Sequence, residues 1–142
     1  MPRPDKPPIG LAVSRVAKAL NRAFEDVLAG AGGSQPVWLI LVALRARPDS
    51  TQRQLAQVLS IREATLTHHL NGMERDGLVA RRRDPENRRV HQVVVTDDGD
   101  AMFRRLRSAA VAFDRQLRAG IDDDRLTVVA ETLQQLAINA AG

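Results

Sequence analysis

The residues with chemical potential in this chain are few and unevenly placed. There are three histidines, His68, His69 and His91, and no cysteine. On a helix, adjacent residues point roughly 100° apart, so His68 and His69 cannot close on one metal as residues four apart can. There is no HExxH, no glycine-rich phosphate loop and no nucleophile elbow. The lack of cysteine removes disulfides, thiolate zinc sites, thiol redox sensing and a cysteine nucleophile together. No enzyme, metal site or cofactor is expected. The densest chemistry is cationic. Arg81, Arg82, Arg83, Arg88 and Arg89 stand close together, opposed only by Asp84 and Glu86. Pairing with those two carboxylates would absorb two of the arginines and leave three facing an anion. Over the whole chain Lys and Arg number 21 against 17 Asp and Glu, for a net charge of +4. All the basic residues but Lys6 and Lys18 are arginine, whose planar fork suits phosphate.

The 142 residues are 44% hydrophobic, enough for a core of one domain or a compact pair of lobes. Met1–Pro8 holds four prolines and is expected to be a disordered tail. From Gly10, Val16, Leu20, Phe24 and Val27 form one stripe of an amphipathic helix, closed by Gly30, Gly32 and Gly33. Ser34 caps a second helix with Pro36 in its first turn, and the apolar run Val37–Leu44 implies cover on nearly all sides. Thr51 with Gln54 forms a capping box for a helix over Gln52–Leu59. Ser60 with Glu63 suggests a second box, opening a helix to about Asp76, with Gly77 as its terminator. The short gap between these two helices is the spacing of a helix-turn-helix.

After Gly77 the period falls to about two. Leu78–Arg83 and Arg88–Thr96 read as strands joined by the turn Asp84-Pro85-Glu86-Asn87, a hairpin with an arginine-rich tip. Thr96 caps a long helix with Asp97, Asp98 and Asp100 in its first turn and a stripe of Met102, Leu106, Ala109, Phe113 and Leu117. Gly120 ends it, and Asp122 caps a last helix striped by Leu126, Val129, Leu133, Leu136 and Ala137. The fold class is mainly α (α+β): a winged helix-turn-helix with a two-stranded wing and terminal helices. Residues 1–8 form the tail, 36–97 the winged region, and 9–35 with 98–142 a helical dimerisation region. Nothing else in the chain covers the outer stripes, so a second copy is expected to.

On the helix ending near Asp76, Leu66, Leu70 and Met73 share an inner face, while Ala64, His68 and Arg75 point away, with Asn71 and Gly72 beside them. Thr65 and Thr67 flank the edges, and His69 turns toward the inner face. The outward surface offers donors, acceptors and methyls suited to base edges in a major groove, with Asn71 matched to adenine. The arginine tip suits a narrow, electronegative minor groove.

These residues resemble the MarR family of bacterial transcriptional regulators. The likeness runs through 51–56 (TQRQLA), 64–70 (ATLTHHL), 73–79 (MERDGLV), 81–89 (RRRDPENRR) and 95–99 (VTDDG). The resemblance implies an obligate, triangular homodimer on a pseudo-palindromic operator of double-stranded DNA, acting as a repressor. It places Arg62, Thr65, Thr67 and His68 at the major groove and Arg89 at the wing tip. With Asn71 and Arg75 outward on the helix and Arg81, Arg83 and Arg88 on the wing, these make up the expected DNA-binding set. The family usually has an aspartate, which braces the tip arginine, where this chain has Asn87. Many members carry a basic residue at the position of His68, where a neutral imidazole attracts phosphate less. Members are often released from DNA by phenolic or other small aromatic effectors bound between the dimer helices and the winged region. Arg15, Trp38 and His69 are the candidates for such a pocket, although Trp38 reads more readily as plain core packing and His69 as a satisfied, half-buried histidine. The absence of cysteine argues against the family's peroxide-sensing branch. The alternative is a winged-helix protein–protein adaptor, which would show apolar residues where this chain has Thr65, His68 and Asn71. No apolar run reaches membrane-span length and no signal-type core follows the amino terminus, so a cytoplasmic location with no membrane partner is expected.

Overall fold

The computed structural model describes residues 6–142, so the first five residues of the expected tail lie outside the described part. Six helices and one hairpin follow in the order α1 (Ile9–Gly30), α2 (Gln35–Ala46), α3 (Gln52–Leu59), α4 (Glu63–Arg75), β1 (Val79–Arg83), β2 (His91–Val95), α5 (Asp97–Arg118) and α6 (Asp123–Ala141). By its internal packing the chain divides into two units, one up to Ala110 and one over Val111–Gly142.

Local chemistry sets most of the boundaries in the first unit. Ser34 Oγ accepts from the Val37 N–H at the start of α2, and Pro36 occupies the first turn, where its missing N–H costs nothing. Thr51 and Gln54 close a reciprocal capping box on α3. The second expected box does not form. Ser60 takes a left-handed conformation (φ 54°) to end α3, with the Ile61 N–H bonding back to the Ala56 carbonyl. An N-cap needs extended backbone, so Ser60 cannot serve both ends, and α4 begins behind Arg62 without a side-chain cap. At the other end of α4, Gly77 (φ 76°) permits the Leu78 N–H to reach the Met73 carbonyl and its own N–H to reach Glu74.

The hairpin is antiparallel, with Val79 opposite Val95 and Arg83 opposite His91. Its tip is longer than the four-residue turn expected, running from Asp84 to Val90. Two side chains fold it. Asp84 Oδ1 accepts from the Glu86 N–H and Asn87 Oδ1 from the Arg89 N–H, and these local bonds compete with the ladder, so Arg88 to Val90 leave the second strand. The root of the wing is also tied to the helices. The Val93 N–H donates to the Ser50 carbonyl, and Thr51 bridges Gln92.

The core of this unit centres on Ile40, Leu41 and Leu44 of α2, enclosed by Leu28, Leu55, Leu66, Leu70, Met73, Val79, Val93 and Leu106. Contrary to the reading of α2 as covered on nearly all sides, Leu39 and Val42 remain 44% and 38% exposed. These two positions on α2 are left only partly covered. Thr96 Oγ1 accepts from the Gly99 N–H to cap α5. Gly99 is required there: a Cβ would run into the Leu78 carbonyl and the Val95 side chain.

In the second unit, Asp122 Oδ1 accepts from the Arg125 N–H and caps α6. No α6 side chain is buried; Val128, Val129, Leu133 and Ile138 are exposed, as is Val111 on α5.

Candidate nucleic-acid interface

α4 presents the two faces its sequence predicts. Leu66, Leu70 and Met73 are at most 2% exposed. Arg62, Ala64, Thr65, His68, Asn71 and Arg75 are exposed, while Thr67 and His69 are half-buried. These residues are not equally available. Thr67 Oγ1 accepts from Gln52 Nε2 at 3.3 Å, which locks α3 against α4. Asn71 Oδ1 accepts from the Arg81 guanidinium at 2.5 Å, and Arg81 Nε meets Glu74 Oε2 at 2.6 Å. Arg81 is thus clamped onto α4, its side chain 22% exposed.

The remaining wing arginines stand differently. Arg82, Arg83, Arg88 and Arg89 are exposed, and among the described residues none of them enters an ion pair. Asp84 and Glu86 therefore absorb none of the cluster, and the single wing arginine that is paired finds its carboxylate on α4. Asn87 holds the backbone of Arg89, leaving that guanidinium projecting from the tip. An open cleft between the wing and the amino-terminal ends of α3 and α4 is lined by Thr51, Gln52, Arg53, Glu63, Arg89, Val90 and His91. The molecule thus offers a polar helix face flanked by a ribbon of unpaired guanidinium groups, a surface built for a polyanion with readable edges.

The MarR family model matches residues 34–91, from the cap of α2 to the first residue of β2. The chain is also similar to two proteins of Bacillus subtilis. It is 27% identical over 124 residues to the uncharacterized HTH-type transcriptional regulator YdgJ, covering 87% of this chain and 74% of that protein. It is 32% identical over 93 residues to the HTH-type transcriptional repressor YetL, covering 64% of this chain and 56% of that one. Among solved structures it resembles the transcriptional repressor CouR bound to a 23-mer DNA duplex, at 25% identity and a TM-score of 0.82, covering 92% of each chain. CouR from Rhodococcus jostii bound to p-coumaroyl-CoA is also similar, at 25% identity and a TM-score of 0.74, covering 91% of each chain. Residues 34–91 thus carry a match to the MarR family, and the proteins this chain resembles are transcriptional regulators.

The matched family and the relatives that resemble this chain are transcriptional regulators, not enzymes. Among the described residues no single helix is long and apolar enough to cross a membrane.

The three candidate effector residues do not gather around one cavity of this chain. Trp38 stacks on Phe103 of α5 with ring centroids 5.5 Å apart, and Arg45 lies over the same Phe103 ring at 4.6 Å. Arg15 is exposed on α1. His69 alone lines a cleft of about 300 Å³, together with Glu25, Gln35, Pro36, Leu39, Ile40, Leu59 and Ile61. Four residues that sequence reasoning missed take part in these sites. Arg53 faces the cleft beside Arg89, Gln52 holds Thr67, Glu74 holds Arg81, and Glu25 accepts from the Gln35 N–H at 3.1 Å. Arg53 carried a signal, since it follows the capping residue Thr51 on a helix whose first turn faces the same way as the wing. The other three depend on tertiary approach and carried none.

Proposed function

We propose that this chain is a MarR-family regulator, a homodimeric repressor that binds a pseudo-palindromic DNA operator. α4 enters the major groove with Arg62, Thr65, His68 and Arg75 outward, and Arg83, Arg88 and Arg89 of the wing reach the flanking backbone or minor groove. Thr67, Asn71 and Arg81 act mainly by position, because their polar groups already bind Gln52, one another and Glu74. The observation that carries this reading is the set of unpaired wing arginines beside an exposed polar helix face. The DNA complex of the similar repressor CouR supports the partner, and the name of the relative YetL supports repression. The apolar residues left exposed on α1, α5 and α6, such as Leu20, Leu117, Val129 and Leu133, supply the surface for the second copy. A small effector, aromatic in the family's manner, releases the DNA, and the ligand-bound structure of CouR supports that step. A chromosomal operator makes the cytoplasm the place of action.

Footprinting of bound sites across the genome, followed by anisotropy titrations on a recovered duplex, tests the reading. The expected result is a two-fold-related site, one dimer per duplex, and an affinity that falls by orders of magnitude between about 50 and 200 mM salt. Binding that ignores ionic strength, or a monomeric protein at micromolar concentration, would refute it.

A further inference from the structure

The cleft on the inner side of α4 has a chemistry of its own. We infer that it binds a compact apolar amine, one ring carrying a protonated nitrogen, with Glu25 as the counter-ion. The inference deepens the effector reading above and rests on it only for the release of DNA. About 300 Å³ sits at the small end of ligand pockets and suits a single ring with a short chain. Pro36, Leu39, Ile40 and Ile61 provide apolar walls, and the polar lining is confined to Glu25, Gln35 and His69.

Charge decides the ligand class. Glu25 is the only Asp, Glu, Lys or Arg among the lining residues. Arg22, one turn earlier on α1, is exposed and does not line the cleft, and Arg15 lies ten residues before Glu25, about 15 Å along the helix. An anionic ligand would turn to the amino terminus of α2, where unpaired N–H groups and the helix dipole favour negative charge. That place is taken: Glu25 Oε1 accepts from the Gln35 N–H and Ser34 Oγ from the Val37 N–H. A carboxylate would find only the neutral Gln35 amide and a His69 N–H as donors, with no cation, and would face the Glu25 carboxylate. An ammonium group meets the opposite situation. Glu25 Oε2 has no hydrogen-bond partner among the described residues, and His69 has only a ring contact with His68. Both can accept an N–H. A ligand seated between Glu25 of α1 and His69 of α4 sets the distance between those helices, one residue from the outward His68.

The test uses the full chain and two probes of equal shape and opposite charge, phenethylamine and 3-phenylpropanoate, titrated calorimetrically. The amine is expected to bind at least about tenfold more tightly. Glu25→Gln, which keeps an acceptor for the Gln35 N–H, is expected to bring the two probes within about threefold while leaving the thermal midpoint in place. The amine should also weaken duplex binding by wild-type protein more than by the variant. Equal or tighter binding of the acid, no binding of either probe at about 10 mM, or a preference that survives Glu25→Gln would each overturn the inference. Duplex binding without ligand is read separately. A protein that binds its operator but does not discriminate the probes refutes only the amine site. A Glu25-dependent amine site in a protein that ignores DNA refutes only the operator reading.

Discussion

Arg81 and Arg89 lie on the same hairpin, yet their surroundings assign them opposite roles, and substituting each with alanine separates those roles. Arg81→Ala removes two charge-assisted hydrogen bonds, to Glu74 and Asn71, from a side chain that is 22% exposed. The abandoned partners are exposed enough to regain water, so the loss is about 1–2 kcal/mol, toward the lower end of what such bonds contribute when buried. For a chain of this size that lowers the thermal midpoint by roughly 3–8 °C. Arg89→Ala removes an exposed guanidinium with no ion-pair partner among the described residues, and its effect on stability stays within about 0.5 kcal/mol. DNA binding inverts the order. If one Arg89 per subunit neutralises one phosphate, its loss flattens the slope of log K against log salt by about 1.8 per dimer. Arg81→Ala leaves that slope within about 0.5 of wild type, even if affinity falls uniformly because the wing is no longer held to α4. The assays are thermal unfolding and anisotropy at four salt concentrations, with Glu74→Gln completing a double-mutant cycle expected to show about 1 kcal/mol of coupling. An Arg81→Ala slope as flat as that of Arg89→Ala, or an unmoved midpoint, would show that the clamp does not exist in solution.

Three further outcomes follow from the packing. Gly99→Ala forces a methyl against the Leu78 carbonyl and Val95, so the urea midpoint should drop by the equivalent of about 3 kcal/mol; a near-neutral result would mean α5 does not approach the wing this closely. Thr51→Ala, which removes the acceptor for the Gln54 N–H, should cost about 1 kcal/mol in denaturant titrations while Thr51→Ser retains most of it. Val129→Asp places a charge on the exposed stripe of α6 and should raise the dimer dissociation constant by about 100-fold in sedimentation, with the monomer still folded. A dimer of wild-type strength would remove α6 from the interface.

What the sequence discloses here depends on the range of each interaction. The capping box at Thr51, the N-cap at Asp122, the stop at Gly77 and the inner face of α4 are set within one or two turns, and all are legible from residue types. Ser60 shows where local reading divides. Its hydroxyl suits an N-cap and its small size tolerates a left-handed stop, and only the completed turn between α3 and α4 selects the second. The wing tip is longer than its residue types suggest because Asn87, which suits one corner of a tight turn, instead accepts from the Arg89 N–H and begins a second side-chain turn. The Arg81–Glu74 pair spans the helix-to-strand reversal at Gly77 and depends on how the hairpin lies against α4, which no spacing rule encodes.

The effector candidates lie apart for a different reason, one that helical geometry makes explicit. Gln35, Pro36, Leu39 and Ile40 are related by steps of three and four residues, so they share one face of α2, and that face lines the cleft with His69. Trp38 lies roughly 130° from the middle of that face at about 100° per residue. It is therefore directed to α5, where Phe103 receives it. An aromatic residue and a histidine suggest a pocket by their types, but α2 cannot turn Trp38 and Leu39 to the same neighbour. The same rotation brings Gln35 beside Glu25, so an acid rather than an indole defines the chemistry of the cleft behind α4. Any effector that enters it must satisfy that carboxylate.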